Sequence, residues 1–305
     1  LPPASHQRTR TLRPKRLKVM QLNCNGLKGQ KKRQDFSAAV EHHKPDIIIG
    51  CESKLDSTIP TYSVFSDDYN VLRKDRNANG GGVFLAFKND IAVVEKSEIN
   101  LALAEIIWAS VQFKGGTTLY IGSYYRPPNA SNDALDQLHD SINGIFSKHT
   151  KRVPNVILGG DFNLPDIDWN STTTSSPRTQ SLHNSFIELL NYFNLTQVVK
   201  HITRPTSGNV LDLTLTSNDE LIGDVQTASG ISDHSILVYS ISLPPKLERK
   251  SSRTIYKYDK ANKTEVQKCI TEATEKYFED NPNERTVEEN WNFFKSTIGS
   301  VIWVI

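Results

Sequence analysis

Val156-Ile157-Leu158-Gly159-Gly160-Asp161-Phe162-Asn163 is an apolar, β-branched run that ends on two glycines and a polar pair. A run of this length and composition reads as a buried strand. In extended chain, residues two apart share a face, so Asp161 and Asn163 project together while Phe162 packs the other way. The glycines leave room for the backbone of a substrate. Taken alone, the motif is no more than an Asx-rich turn closing a strand.

Working outward, three further clusters stand at the ends of apolar runs: Leu22-Asn23-Cys24-Asn25-Gly26, Glu52 after Ile47-Ile48-Ile49-Gly50-Cys51, and Ile231-Ser232-Asp233-His234 ahead of the run 235–241. Alternation places Asn23 and Asn25 on one face, and Glu52 beside them if the first two strands are neighbours. Carboxylates, carboxamides and an imidazole at strand ends can hold a divalent cation, a phosphate and an attacking water, with the strands as a rigid frame. Asp212 is an acid inside the apolar run 210–215; it needs a partner, and either His234 or Arg204 would serve. Ser232, Asp233 and His234 are contiguous, which argues against a protease triad, since a triad converges from separate segments. At the end of another run, Tyr125 offers a hydroxyl and Arg126 a cation to phosphate.

The spacing predicts strands at 17–22, 46–50, 83–87, 106–113, 118–124, 153–158, 211–216 and 235–241, with helices at 30–43, 131–149 and 179–193. Strands mixed with hairpins and only two or three helices indicate an α/β sandwich with mixed sheets rather than one parallel doubly wound sheet. Gly80-Gly81-Gly82 lacks the Lys-Ser/Thr ending of a P-loop and the GxGxxG spacing of a dinucleotide fold, and reads as a hairpin turn. Residues 1–17 read as a basic flexible arm and 18–243 as the body. Pro244-Pro245 opens a linker, residues 244–305, that carries helices at about 260–279 and 286–301 and reads as leading into a further domain.

Composition bounds the rest. The 305 residues are 37% hydrophobic and 23% charged, without an apolar run long enough to cross a bilayer. An intracellular protein without a membrane partner is expected. Cys24, Cys51 and Cys269 are odd in number and have no CxxC spacing, which disfavours both a disulfide framework and a zinc site. The net charge is only +2, yet the first 44 residues hold eleven Lys/Arg against Asp35 and Glu41. A basic arm on an acidic body suits a polyanion gripped by the arm, or a nuclear localisation signal; a solvated linker is the plain alternative.

Each cluster is weak alone, but the order Asn-x-Asn-Gly, Glu, Tyr-x-Pro, Gly-Asp-x-Asn, Asp, Ser-Asp-His over residues 18–243 is specific. It resembles the endonuclease/exonuclease/phosphatase superfamily, above all the apurinic-like endonuclease domain of non-LTR, LINE-type retrotransposons of the jockey-like branch. The resemblance implies a DNase I-like four-layer sandwich, two mixed β-sheets flanked by helices, with the site at one rim. It implies Mg²⁺, with Mn²⁺ as a substitute, held by Glu52 with Asn25 and Asn23 in support. It implies that Asp161 activates water, that Asn163 and Tyr125 hold the scissile phosphate, and that His234, oriented by Asp212 with Asp233 alongside, contacts a phosphoryl oxygen. Arg126, Thr203 and Ser232 are the candidate substrate-binding residues. Implied partners are double-stranded DNA and, through a longer polyprotein with a reverse transcriptase, the element's RNA; the domain is expected to be monomeric and to act in the nucleus. Cys51-Glu52-Ser53 departs from the usual Gln-Glu-Thr. A phosphatase of the same fold and a silent nucleic-acid-binding module are the alternatives. The first is disfavoured by Leu164-Pro165 after the Asp-x-Asn motif, the second by the presence of every motif carboxylate. The loop after 83–87 and the loop 166–176 are candidate groove-contacting segments.

Overall fold

In the computed structural model, residues 16–242 are described except 78, 102, 103, 114, 115, 132 and 175, as are 262–302, the last five by backbone alone. The expected arm at 1–17, apart from its last two residues, and the linker before residue 262 lie outside the described residues. The chain divides into two units, Leu1–Arg249 and Lys250–Ile305.

The first unit is built on two six-stranded sheets. Strands β1 (Leu17–Asn23), β2 (Ile47–Cys51), β3 (Tyr69–Lys74), β4 (Val83–Lys88), β13 (Gln226–Ala228) and β14 (Ile236–Ile241) form one, ordered β13-β14-β1-β2-β4-β3. Strands β5 (Val93–Glu95), β6 (Ile106–Gln112), β7 (Thr118–Tyr125), β8 (Asn155–Asp161), β11 (Thr196–Gln197) and β12 (Asp212–Thr216) form the other, ordered β11-β12-β8-β7-β6-β5. Each sheet has one parallel pair, β1 with β2 and β7 with β8, flanked by antiparallel neighbours. Two short strands, β9 (Ile167–Asp168) and β10 (Thr173–Thr174), pair apart from both. Helix α1 (Gln30–His43) covers the outer face of the first sheet through Phe36, packed on Met20, Leu22, Ile48 and Phe84. Helices α2 (Asp133–Phe146) and α3 (Gln180–Tyr192) cover the second through Leu138, Ile142, Phe186 and Leu190, packed on Trp108, Val156, Leu158 and Leu213. The result is the four-layer sandwich expected from the motif order.

The rows of side chains between the sheets change character along the strands. Leu17, Val19, Ile47, Ile49, Ile121, Ile157 and Leu237 make the apolar part. Continuing each row by two residues gives Gln21 then Asn23, Ser123 then Tyr125, and Gly159 then Asp161, all ending at one rim. Burying these polar groups requires partners, and they find them across the gap. Gln21 Nε2 donates to the Leu213 carbonyl at 2.9 Å while its Oε1 accepts from Thr214 Oγ1 at 2.9 Å, and Ser123 Oγ donates to the Gly50 carbonyl at 2.8 Å. The glycines before Asp161 serve this packing, which corrects their expected exposure to substrate. A Cβ on Gly159 would lie 2.3 Å from Gln21 Oε1, and one on Gly160, at φ +150°, would lie 1.8 Å from the Tyr124 carbonyl oxygen.

In the second unit α4 (Lys263–Glu279) is capped by Asn262, whose Oδ1 accepts from the Glu265 N–H. Tyr277 packs against Phe293 of α5 (Val287–Ile302), and the Arg285 guanidinium lies over both rings.

Replacing Gln21 by Leu keeps roughly the volume but removes the side-chain donor to the Leu213 carbonyl and the acceptor of the Thr214 hydroxyl between the sheets. A loss of about 1–3 kcal/mol is expected in urea unfolding; no loss would mean that this cross-sheet bond carries nothing.

Candidate active site

The rim is where β1, β2, β7 and β8 end and where β12 and β14 begin, so six segments from two sheets deliver side chains to one edge. The antiparallel register sets Asp212 directly opposite Asp161, and the parallel register sets Tyr125 beside Asp161 and Asn23 beside Cys51.

Three polar pairs then close the gap. Asn23 Nδ2 donates to Asp161 Oδ2 at 2.9 Å. His234 Nδ1 lies 2.7 Å from Asp212 Oδ2. The Tyr125 hydroxyl donates to Glu52 Oε1. His234 Nε2 faces Asp161 Oδ2 at 4.0 Å, too long for a direct hydrogen bond and open to a third group. Asp161, Asp212 and His234 form a buried group that could gather a cation or an attacking water.

Two like turns shape the strand ends. Beyond Asn23 the chain turns left-handed at Asn25, φ +44°, and the Asn25 N–H returns to Asn23 Oδ1 at 3.0 Å. Beyond Asp161 it does so at Asn163, φ +47°, with its N–H on Asp161 Oδ1 at 3.0 Å. Strand alternation therefore stops short of both asparagines, correcting the expectation that each pair projects together. Asn25 is exposed and its Oδ1 accepts from Lys54 Nζ at 2.5 Å, while Asn163 Nδ2 donates to the Arg126 carbonyl at 2.8 Å.

Four candidates have other work. The Arg126 guanidinium is buried against the carbonyls of Pro127, Ala130 and Asn163. Thr203 is fully buried; its Oγ1 accepts the N–H groups of Leu211 and Asp212, and its carbonyl accepts from Ser235. Ser232 Oγ donates to the Asn23 carbonyl at 2.8 Å and accepts from the His234 N–H at 3.2 Å. Asp233 is held by Arg204, with Nε at 2.9 Å and Nη2 at 2.7 Å from Oδ2. Arg126, Thr203 and Ser232 thus each fix backbone, and the last two hold the strands that present Asp212 and His234. Asp233 turns to Arg204, so Asp212 has His234 as its partner.

Electrostatics follow from this burial. Loss of water pushes the Asp161 carboxyl up, the Asp212 charge adds to the rise, and His234 with the donors from Asn163 and Asn23 only partly opposes it. For His234 burial favours the neutral ring, but the hydrogen bond and charge of Asp212, with Asp161 and Asp233, outweigh it and raise the pKa. Burial, then the bond to Glu52, keeps the Tyr125 hydroxyl protonated, hence a donor.

The set suits a hard divalent cation at Glu52 and Asn25, which offer oxygen donors only. A cation already stands there: Lys54 Nζ is 3.7 Å from Glu52 Oε2 and 2.5 Å from Asn25 Oδ1. Lys54 and Gln21 escaped the reading of sequence. For Gln21 the signal was a polar residue inside an apolar run; for Lys54 there was only its place two residues after Glu52.

Residues 119–238 match the sequence model of a family described as endonuclease-reverse transcriptase. Among solved structures, the endonuclease domain of TRAS1, a telomere-specific non-LTR retrotransposon, is similar at 17% identity with a TM-score of 0.58, covering 75% of this chain and 100% of that one. AP endonuclease LMAP from Leishmania major gives 15% and 0.62 over 74% and 88%, and the catalytic domain of Xenopus laevis APE2 gives 16% and 0.57 over 77% and 94%. No curated protein matches. The fold is the one shared by these solved endonuclease domains, and residues 119–238 match the endonuclease-reverse transcriptase model.

In an NMR titration the His234 ring is expected to lose its proton above the usual 6.5, and in Asp212→Asn below the wild-type midpoint. Because the folded pKa is raised, the stabilisation from this pair is complete below pH 6.5 and fades as pH climbs through the raised midpoint. Identical midpoints in the two proteins would show that Asp212 does not hold the imidazolium.

Proposed function

We propose that this chain is a divalent-metal-dependent DNA endonuclease that nicks one strand to leave a 3′-hydroxyl able to prime reverse transcription. The observation that carries the reading is the meeting, at one rim, of a buried carboxylate, a carboxylate-oriented histidine and a separate oxygen-donor pair. Glu52 and Asn25 would hold the cation, Mg²⁺ or in substitution Mn²⁺, in place of the Lys54 ammonium, and it would supply charge to offset that on the phosphoryl group.

The chain's own groups do the rest. Asp161 takes a proton from water, and its raised pKa brings it toward the working pH, where a general base is most effective. Asn23 and the Asn163 N–H hold that carboxylate in place. His234, kept protonated by Asp212, donates to a phosphoryl oxygen, a preorganised charge where negative charge develops. Tyr125 fixes Glu52. The water oxygen joins phosphorus, the P–O3′ bond breaks, the 3′ oxygen takes up a proton from solvent in place of the one passed to Asp161, and the 5′ side keeps the phosphate. Double-stranded DNA is the substrate, in the nucleus, and the element's RNA is the template carried by the rest of a longer polyprotein.

Supercoiled plasmid should be nicked with Mg²⁺ and not in a chelator. Asp161→Ala and His234→Ala should each lower the rate about 10²–10⁴-fold, while DNA affinity by filter binding changes little. A folded wild type that nicks nothing yet releases phosphate from phosphomonoesters would transfer the site to phosphatase chemistry.

A further inference from the structure

Glu105 lies just before β6 and outside every motif discussed above, yet it is bonded to Tyr125 directly and to the segment bearing Glu52 through the Gly80–Gly82 loop. Its backbone carbonyl accepts the Tyr125 N–H at 2.9 Å, fixing the end of β7. Its carboxylate reaches to the other sheet: Oε2 accepts the Gly82 N–H at 2.7 Å and Oε1 pairs with Arg76 Nη1 at 2.5 Å. Arg76 Nε in turn donates to the Gly80 carbonyl at 2.9 Å, and its guanidinium lies 6.0 Å from the centre of the Tyr125 ring. The glycine loop so fastened holds the segment that bears Glu52, because the Gly82 carbonyl accepts the Ser53 N–H at 3.2 Å and the Gly81 carbonyl the Lys54 N–H at 2.9 Å. That segment needs holding: Glu52 and Lys54 both stand at φ +50°, a region that costs free energy for residues with a Cβ.

We infer that Glu105, with Arg76, is a positioning clasp that ties the Gly80–Gly82 loop to the end of β7 and so fixes the Glu52 carboxylate for the cation and phosphate. This rests on the proposed endonuclease reading for its purpose, though not for its geometry. A half-buried carboxylate is a weak device for stability alone, since its desolvation offsets part of what the ion pair returns. Glu105 shows that strain: burial pushes its carboxyl up, more than the Gly82 N–H and Arg76 can offset. The pair also borders a cavity of about 360 Å³ beside Tyr125, so truncation opens space to water and leaves the packed core alone.

The test compares the full chain with Glu105→Ala, Glu105→Gln and Arg76→Ala by amide hydrogen exchange. In Glu105→Ala the Ser53 and Lys54 amides should exchange about tenfold faster or more, as a local opening, while the β1–β2 ladder keeps its protection. Glu105→Gln keeps an oxygen for the Gly82 N–H and should restore most of that protection. Mn²⁺ affinity without DNA, read by electron paramagnetic resonance, should fall about tenfold in Glu105→Ala, the scale of an outer-shell ligand support. Unchanged exchange at Ser53 and Lys54, or a rise spread evenly over the first sheet, would overturn the clasp. Arg76→Ala, at a side chain 39% exposed, decides the matter if Glu105→Ala does not fold. A wild type that neither binds Mn²⁺ nor nicks DNA would remove the endonuclease reading, while the exchange data would still decide the clasp.

Discussion

Everything at the rim depends on polar side chains of one sheet being satisfied by the other. Asn23 meets Asp161, His234 meets Asp212 and Glu52 meets Tyr125, each pair joining matching places in the two sheets. β1 corresponds to β8, β2 to β7 and β14 to β12 in the order and direction of pairing. An unpaired carboxylate or carboxamide in that gap would cost the desolvation of the group, so the sheets can close over these residues only in one register. Fold and site are therefore set by the same contacts.

The apolar interior and the polar rim form one continuous gradient. Aliphatic rows between the sheets supply the burial; Gln21, Ser123 and Thr214 form an intermediate layer; the ionisable groups come last. The intermediate layer shows why Gly159 is a glycine, because Gln21 occupies the space a side chain there would need. Thr203 and Ser232 extend the logic to the loops. Their hydroxyls, that of Thr203 buried and that of Ser232 half-buried, satisfy backbone groups next to Asp212 and His234, so the histidine pair sits on anchored chain rather than on a free loop.

Much of this was legible in the residues. Continuous apolar runs fixed β1, β2, β4, β6, β7, β8, β12 and β14 to within a few positions, because strands buried on both faces leave an unmistakable pattern. The edge strand β3, Tyr-Asn-Val-Leu-Arg-Lys, gives no such run, and β5 and β13 are three residues each. Their pairing is a consequence of tertiary context that local sequence does not encode. At the site, the residue types were readable but not their direction. Left-handed turns at Asn25 and Asn163 broke the alternation, and the burial of Arg126 and Thr203 on backbone groups was not visible from their place in the sequence. Lys54 and Glu105 were hidden because their importance arises from contacts between segments far apart in the chain or from a turn of the backbone.

The chemistry of the nick gives the most direct measurement. A duplex labelled on one strand is cleaved with Mg²⁺ present, and the product is offered to a DNA polymerase without prior phosphatase treatment. Immediate extension from the cleaved end, together with a 5′-phosphate on the downstream fragment, is the result expected of water attack with loss of the 3′ oxygen. A 3′-phosphate that must be removed before extension, or an intact strand despite a folded protein, would contradict the assignment of this rim to endonucleolytic hydrolysis.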